Sequence, residues 1–281
     1  NGGIKAMQTG DFPTALEDFE TAKMLIPNKP DTYKGLGICY SNLGQVEAGI
    51  EAYSKAIELD STDVAPRINL GIAYMNTGRF EEAVGPLKKA TELAPDNLGA
   101  LEKLALVQQR VGDRDGALET AEKALAIDPE KLEVLAMAGQ MYLMGENYQR
   151  AAEIMEKVLE QQADNTAVIF NLAAAYKGLD EFGKATALFQ KSVEADSTDT
   201  DAWYQLGLLH DRQEELDAAI GAFQKVVDLK PSNAQAWRAL SRSYARKSQA
   251  VKPGTADAKK CAKKAEEAFL MAESLQGDGT E

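Results

Sequence analysis

Histidine is nearly missing from this sequence: His210 is the one imidazole in 281 residues. A single imidazole cannot build a multi-His metal site, and no His-based triad is assembled around it. Cysteine is almost as scarce. Cys39 and Cys261 are too few for a disulfide framework and wrongly spaced for zinc, so they read as buried or incidental thiols that carry no signal about compartment. No run approaches the ~18 apolar residues of a membrane helix, and no glycine-rich loop stands where a phosphate could be cradled. Positive charge is in the minority, with 31 Lys and Arg against 44 Asp and Glu, for a formal net charge of −13. A field of that sign repels phosphate backbones and anionic bilayers, which argues against whole-surface nucleic-acid binding. The expectation is a chain with no catalytic residues, no metal and no cofactor. Its start, Asn1-Gly2-Gly3, is neither an initiator Met nor a signal peptide and reads as the interior of a longer gene product.

What is present is a period. A tyrosine or its substitute recurs every 34 residues at Tyr40, Tyr74, Gln108, Tyr142, Tyr176, His210 and Tyr244. Small residues keep the same interval at Gly37, Gly71, Ala105, Gly139, Ala173, Gly207 and Ser241, and a third series runs from Ala15 to Ala219. Prolines that end helices fall on the same beat at Pro27, Pro95, Pro129 and Pro231. A fixed period of this length means one supersecondary unit, stacked.

Within each unit the spacing is helical. Trp203, Leu206, Gly207 and His210 share one helix face; after a polar break, Leu216, Ala219, Phe223 and Val226 mark a second helix. Asp96-Asn97, Ser197-Thr198-Asp199 and Ser232-Asn233 precede first helices and can cap their free N–H groups. The small residues let two backbones cross closely while a large side chain fills the facing groove. Strand-like alternation is missing, so the sequence predicts an all-α fold. Pro86 falls inside a second helix and predicts a kink there.

These residues resemble the tetratricopeptide repeat: a bulky residue, then Leu-Gly, Tyr, Ala, an aromatic, Ala and Pro over 34 positions. Tyr33, Leu36, Gly37, Tyr40, Gly49, Tyr53 and Ala56 supply one copy. Leu70, Gly71, Tyr74, Gly78, Phe80, Ala83, Leu87, Ala90 and Pro95 supply the next, and Trp203 through Pro231 a later one. The resemblance implies an antiparallel helix pair per repeat and a right-handed superhelix, an α-solenoid whose first helices line the concave face. Repeats are expected near 1–29, 30–63, 64–97, 98–131, 132–165, 166–199, 200–233 and 234–276, forming a single domain. The first has lost most of its first helix. The last carries a loop insertion at 248–256 before a second helix aligned on Ala265, Phe269 and Ala272, and a disordered tail is expected at 277–281. Lys259, Lys260, Lys263 and Lys264 suit its solvated outer face.

The same resemblance places ligand contacts at the second, fifth, sixth, ninth, twelfth and thirteenth positions of each first helix. Three features fall there. Arg238, Arg242 and Arg246 step by four along one helix face, and Arg212 holds the equivalent inner position one repeat earlier. Such a stripe could grip a carboxylate or acidic peptide through paired N–H donors, or could be solvated and balance Asp211 and the acidic loops. Met137, Leu143, Met144 and Phe170 form an apolar set, suited to an adaptable hydrophobic ligand or to packing against neighbouring repeats. Asn69, Asn171 and Gln205 share the sixth position, where relatives hold a ligand backbone with Asn. Lys34, Asn69 and Lys103 match three slots of the chaperone-tail version, which reads a C-terminal carboxylate, while Ile38 and Gly99 occupy the other two.

The leading expectation is a non-enzymatic scaffold. Its partner is a protein or peptide, acidic or ending in a free carboxylate, held along the inner groove as an extended segment or a helix. Rival readings are a homo-oligomer assembled through the incomplete first repeat, and the regulatory arm of a larger protein.

Overall fold

The computed structural model describes residues 2–277, and the side chains as far as residue 275. Residue 1 and most of the expected tail, residues 278–281, lie outside the described residues; Gly277 is the last residue of a helix. Among the described residues there are sixteen α-helices joined by short turns, and no strand.

The chain divides into two compact units, Asn1–Gly145 and Glu146–Glu281. The first unit contains α1 (Gly2–Gln8), α2 (Phe12–Leu25), α3 (Pro30–Asn42), α4 (Val46–Leu59), α5 (Ala65–Asn76), α6 (Phe80–Leu93), α7 (Leu98–Arg110), α8 (Arg114–Ile127) and α9 (Leu132–Met144). In the second lie α10 (Tyr148–Gln161), α11 (Thr166–Gly178), α12 (Phe182–Ala195), α13 (Thr200–Arg212), α14 (Leu216–Leu229), α15 (Ala234–Ala250) and α16 (Ala256–Gly277). Inside each unit every helix packs on its neighbours in sequence, so helix hairpins stack one on the next. Each second helix from α2 to α14 is 14 residues long, which is the period made visible.

Local chemistry sets the boundaries. Asn97, Asn165, Asp199 and Asn233 each accept a hydrogen bond from a backbone N–H in the first turn of the helix they precede. Between the two helices of a pair the chain turns through a left-handed residue at Gly10, Gly44, Gly78 and Gly112, with φ of 78°, 76°, 73° and 82°. The same slot holds Glu146, Asp180 and Glu214, at φ of 60°, 58° and 62°, where a side chain makes the conformation costly.

The core follows the periodic series. A Cβ on Gly71 would come within 2.5 Å of Leu87, and one on Gly207 within 2.7 Å of Phe223, so the crossing requires glycine there. Phe189 and Phe223 are fully buried. The tyrosine series is structural: the hydroxyls of Tyr40 and Tyr142 donate to Glu20 at 2.7 Å and Glu122 at 3.0 Å, and Tyr176 donates to Glu156. Each glutamate lies 20 residues upstream on the preceding second helix. The substitutes improvise. Gln108 accepts from Thr120 at 2.7 Å, and His210 Nδ1 lies 2.6 Å from Glu215.

Two local expectations change on contact with the structure. The loop expected at 248–256 is shorter: α15 runs on to Ala250, α16 opens at Ala256, and the connection is 251–255. Phe269 is 51% exposed and is not a core residue. The buried stripe of α16 is Ala258, Cys261, Ala265, Ala268 and Ala272 instead, because Phe269 lies about 100° around the helix from Ala268. Pro86, where a kink is expected, sits within a helix that runs from Phe80 to Leu93.

Candidate functional site

In the first unit the inner positions are largely engaged with the chain's own groups. The Lys34 ammonium lies 2.7 Å from Asp63 and 3.1 Å from Asp31, and the Asp63 hydrogen bond above all holds its pKa above the usual lysine value. Lys103 pairs with the adjacent Glu102 at 3.1 Å. Asn69 lines an open cavity of about 300 Å³ with Ile38, Ser41, Asn42, Tyr53 and Asn76. Met137 is half-buried against Leu101, Ala124 and Val134; Leu143 and Met144 are also half-buried. Packing thus accounts for part of this apolar set.

The second unit is built differently. Where α11, α13 and α15 run side by side, their C-terminal ends form a basin of about 550 Å³ lined by Lys177, Phe182, Leu208, Asp211, Arg212 and Arg246. Arg212 stacks over the Phe182 ring at 4.4 Å and reaches Asp180 at 3.4 Å, yet its side chain stays 64% exposed. Such a guanidinium is oriented by the ring and still has N–H groups to give. Arg246 bonds both the carboxylate of Asp211, at 2.7 Å, and its backbone carbonyl, at 2.9 Å. Lys177 donates to Gln205 at 2.6 Å, and burial holds its pKa below the usual lysine value. A lysine desolvated in this way gains from an incoming anion.

The arginine stripe therefore splits. Arg212 and Arg246 share the basin, Arg238 turns to Glu273 at 3.4 Å, and Arg242 is exposed on the same helix. Gln205 reaches the basin through Lys177. Phe170 is half-buried, edge-on to Phe189 at 5.2 Å, and lines a separate cavity of about 350 Å³ with Asn171 and three aspartates, Asp196, Asp199 and Asp201. Sequence reasoning missed Lys177 and Phe182. Lys177 stands at the twelfth position of its first helix, a contact position that the resemblance already named. Phe182 opens a second helix, where aromatics such as Phe12 and Phe80 recur, so the pattern marks it as packing.

Burial pushes the Cys39 thiol above its usual pKa, which leaves it a poor nucleophile. Among the described residues no group of three or more His, Cys, Asp or Glu could hold a metal ion, and no helix is long and apolar enough to cross a membrane.

Family profiles described as tetratricopeptide repeat match residues 30–63, 66–97, 109–176, 142–209 and 200–233. The chain belongs to the tetratricopeptide repeat family. A stretch of 59 residues is 41% identical to photosystem I assembly protein Ycf3 of Synechococcus sp. (strain CC9605), covering 20% of this chain and 34% of that protein. The match spans about a third of the relative's length. Among solved structures, the C-terminal part of a tetratricopeptide repeat protein from Cytophaga hutchinsonii superposes with a TM-score of 0.67 at 19% identity, over 85% of this chain and 98% of that one. YrrB, described as a tetratricopeptide repeat protein with an unusual peptide-binding site, superposes with a TM-score of 0.56 at 24% identity, over 66% of this chain and 96% of its own. At these identities the structural likeness carries the fold. Tetratricopeptide repeat proteins serve in general as scaffolds for protein–protein interaction, and family and fold place this chain among them.

Proposed function

We propose that the chain is a non-catalytic scaffold that holds a carboxylate-bearing segment of a partner protein on the inner face of its second unit. The observation that carries this reading is the basin at Lys177, Phe182, Arg212 and Arg246, where cations gather in a chain of net charge −13. Arg212 offers free N–H donors held in place by an aromatic ring, and Lys177 is already partly desolvated. Phe182, Leu208 and Leu209 give an apolar floor beside the charges, so the ligand suited to it presents a carboxylate next to an aliphatic or aromatic side chain. Arg238 and Arg242 extend the positive stripe along α15. Phe170, Asn171 and Gln205 offer apolar and amide contacts on the same unit, and Met137, Asn69, Lys34 and Lys103 would engage a ligand on the first. The unusual peptide-binding site described for YrrB supports peptide recognition on such a fold, without locating it here.

The test is fluorescence anisotropy with a labelled acidic peptide ending in a free carboxylate, at low and high salt. Arg212→Glu is expected to weaken binding about tenfold or more, because it replaces an oriented donor with a repelling charge. Arg242→Glu should weaken it less, mainly by slowing association. Equal affinity of the Arg212→Glu and parent proteins would remove the basin from the account.

A further inference from the structure

A cavity of about 680 Å³ lies at the N-terminal end of the first unit, over α1, α2 and α3, and is lined by Ile4, Asp18, Leu25 and Ile26 among others. Around it the surface is unusually apolar: Met24 is 80% exposed, Leu25 77% and Ile26 57%. The other end of the chain has a matching feature. On α16, Phe269, Leu270 and Met271 are 51%, 60% and 43% exposed. Few of the large apolar residues elsewhere are as open.

We propose that the chain associates with itself head to tail, the outer face of α16 in one copy lying along the exposed face of α2 in the next. Charge and spacing choose a second copy over another occupant. On α2, the exposed acids Glu17 and Asp18 are followed seven residues on by Met24 and Leu25. On α16, the exposed cations Lys263 and Lys264 are followed seven residues on by Leu270 and Met271. A parallel alignment of the two helices in this register therefore sets the acids Glu17 and Asp18 against Lys263 and Lys264, and Met24 and Leu25 against Leu270 and Met271. Seven residues is close to two helical turns, so each set stays on one side of its helix. The buried faces agree as well: Ala15 and Phe19 turn inward on α2, and Cys261 and Ala265 turn inward at the same register on α16.

The cations are free enough to exchange partners. Lys263 meets Glu267 at 3.6 Å, and Lys264 donates to the Tyr244 hydroxyl at 3.2 Å, both on an exposed surface where an exchange of partners costs little. Two helices form a small interface, so the association is weak and depends on concentration. Because the two faces differ, each copy keeps one face open and the assembly grows beyond a pair.

Sedimentation velocity of the 281-residue chain over a concentration series tests this. The parent is expected to grow past dimer as concentration rises. Leu25→Asp, which spoils the head, and Leu270→Asp, which spoils the tail, each weaken self-association about tenfold or more. Both positions are solvent-exposed, so circular dichroism should report unchanged helicity. The decisive measurement mixes the two variants. The intact tail of the first fits the intact head of the second, and the mixture forms a pair that grows no further. A parent that stays monomeric, variants that assemble like the parent, or a mixture that fails to pair would each overturn the proposal. The basin at Arg212 is untouched by both substitutions, so peptide binding is judged separately.

Discussion

Tyr40 shows what one hydroxyl contributes to a joint between repeats. Its hydrogen bond to Glu20, with burial second, pushes its pKa up to about 12 from the usual 10. A folded-state pKa raised above the unfolded value adds stability that is fully present below pH 10 and is lost as pH climbs from 10 through 12. Tyr40→Phe is therefore expected to cost about 1–2 kcal/mol at neutral pH, and the gap from the parent should close in urea titrations run at increasingly alkaline pH. Phe223 acts through volume. It is fully buried against Val226, Ala239 and Leu240, so Phe223→Ala should lower unfolding free energy by about 3–5 kcal/mol, read from the shift in urea midpoint. Such residues were legible in the sequence because period and hydrophobicity both point to them. The Tyr–Glu bonds were not, since they join different repeats and the glutamates occur in only some of them.

At the level of the helix pair, the left-handed turn is the part that the sequence half reveals. Gly10, Gly44, Gly78 and Gly112 mark it by composition; Glu146, Asp180 and Glu214 keep the backbone without the residue that favours it. Glu214→Gly should therefore raise stability by about 1 kcal/mol, net of the added freedom of the unfolded chain, as a higher midpoint in thermal unfolding followed at 222 nm. Pro86 leaves the Glu82 carbonyl without its helical donor, and Pro86→Ala should stabilise α6 by as much as ~3 kcal/mol. Caps were readable because each depends on neighbours within a turn. The misreading of Phe269 has the opposite cause. The family pattern places an aromatic between two alanines of a second helix, whereas the inward stripe of α16 is made of small residues that fit closely on α15.

For the molecule as a whole, stacking means that each pair depends mainly on its neighbours. Amide exchange should be fastest in α1 and in the last turns of α16, and slowest in interior helices such as α4 and α13, a gradient that mass spectrometry of labelled peptides would resolve. A uniform protection level would contradict it. Distance along the chain also explains which part of the candidate site could be read. The four-residue spacing groups Arg238, Arg242 and Arg246 on one helix, but the basin joins residues about one repeat apart, Lys177, Arg212 and Arg246, on three helices. Only the stacking of helices brings those three together.

The 34-residue interval has a practical consequence for protein engineering. Since each lap returns the backbone to an equivalent pose at the left-handed turn, one complete module cut out between two such turns should leave ends that can be rejoined without disturbing the seams on either side. Removing residues 79–112 in this way would yield a shorter but still folded relative, a kind of shortening that a globular core built from distant segments does not tolerate.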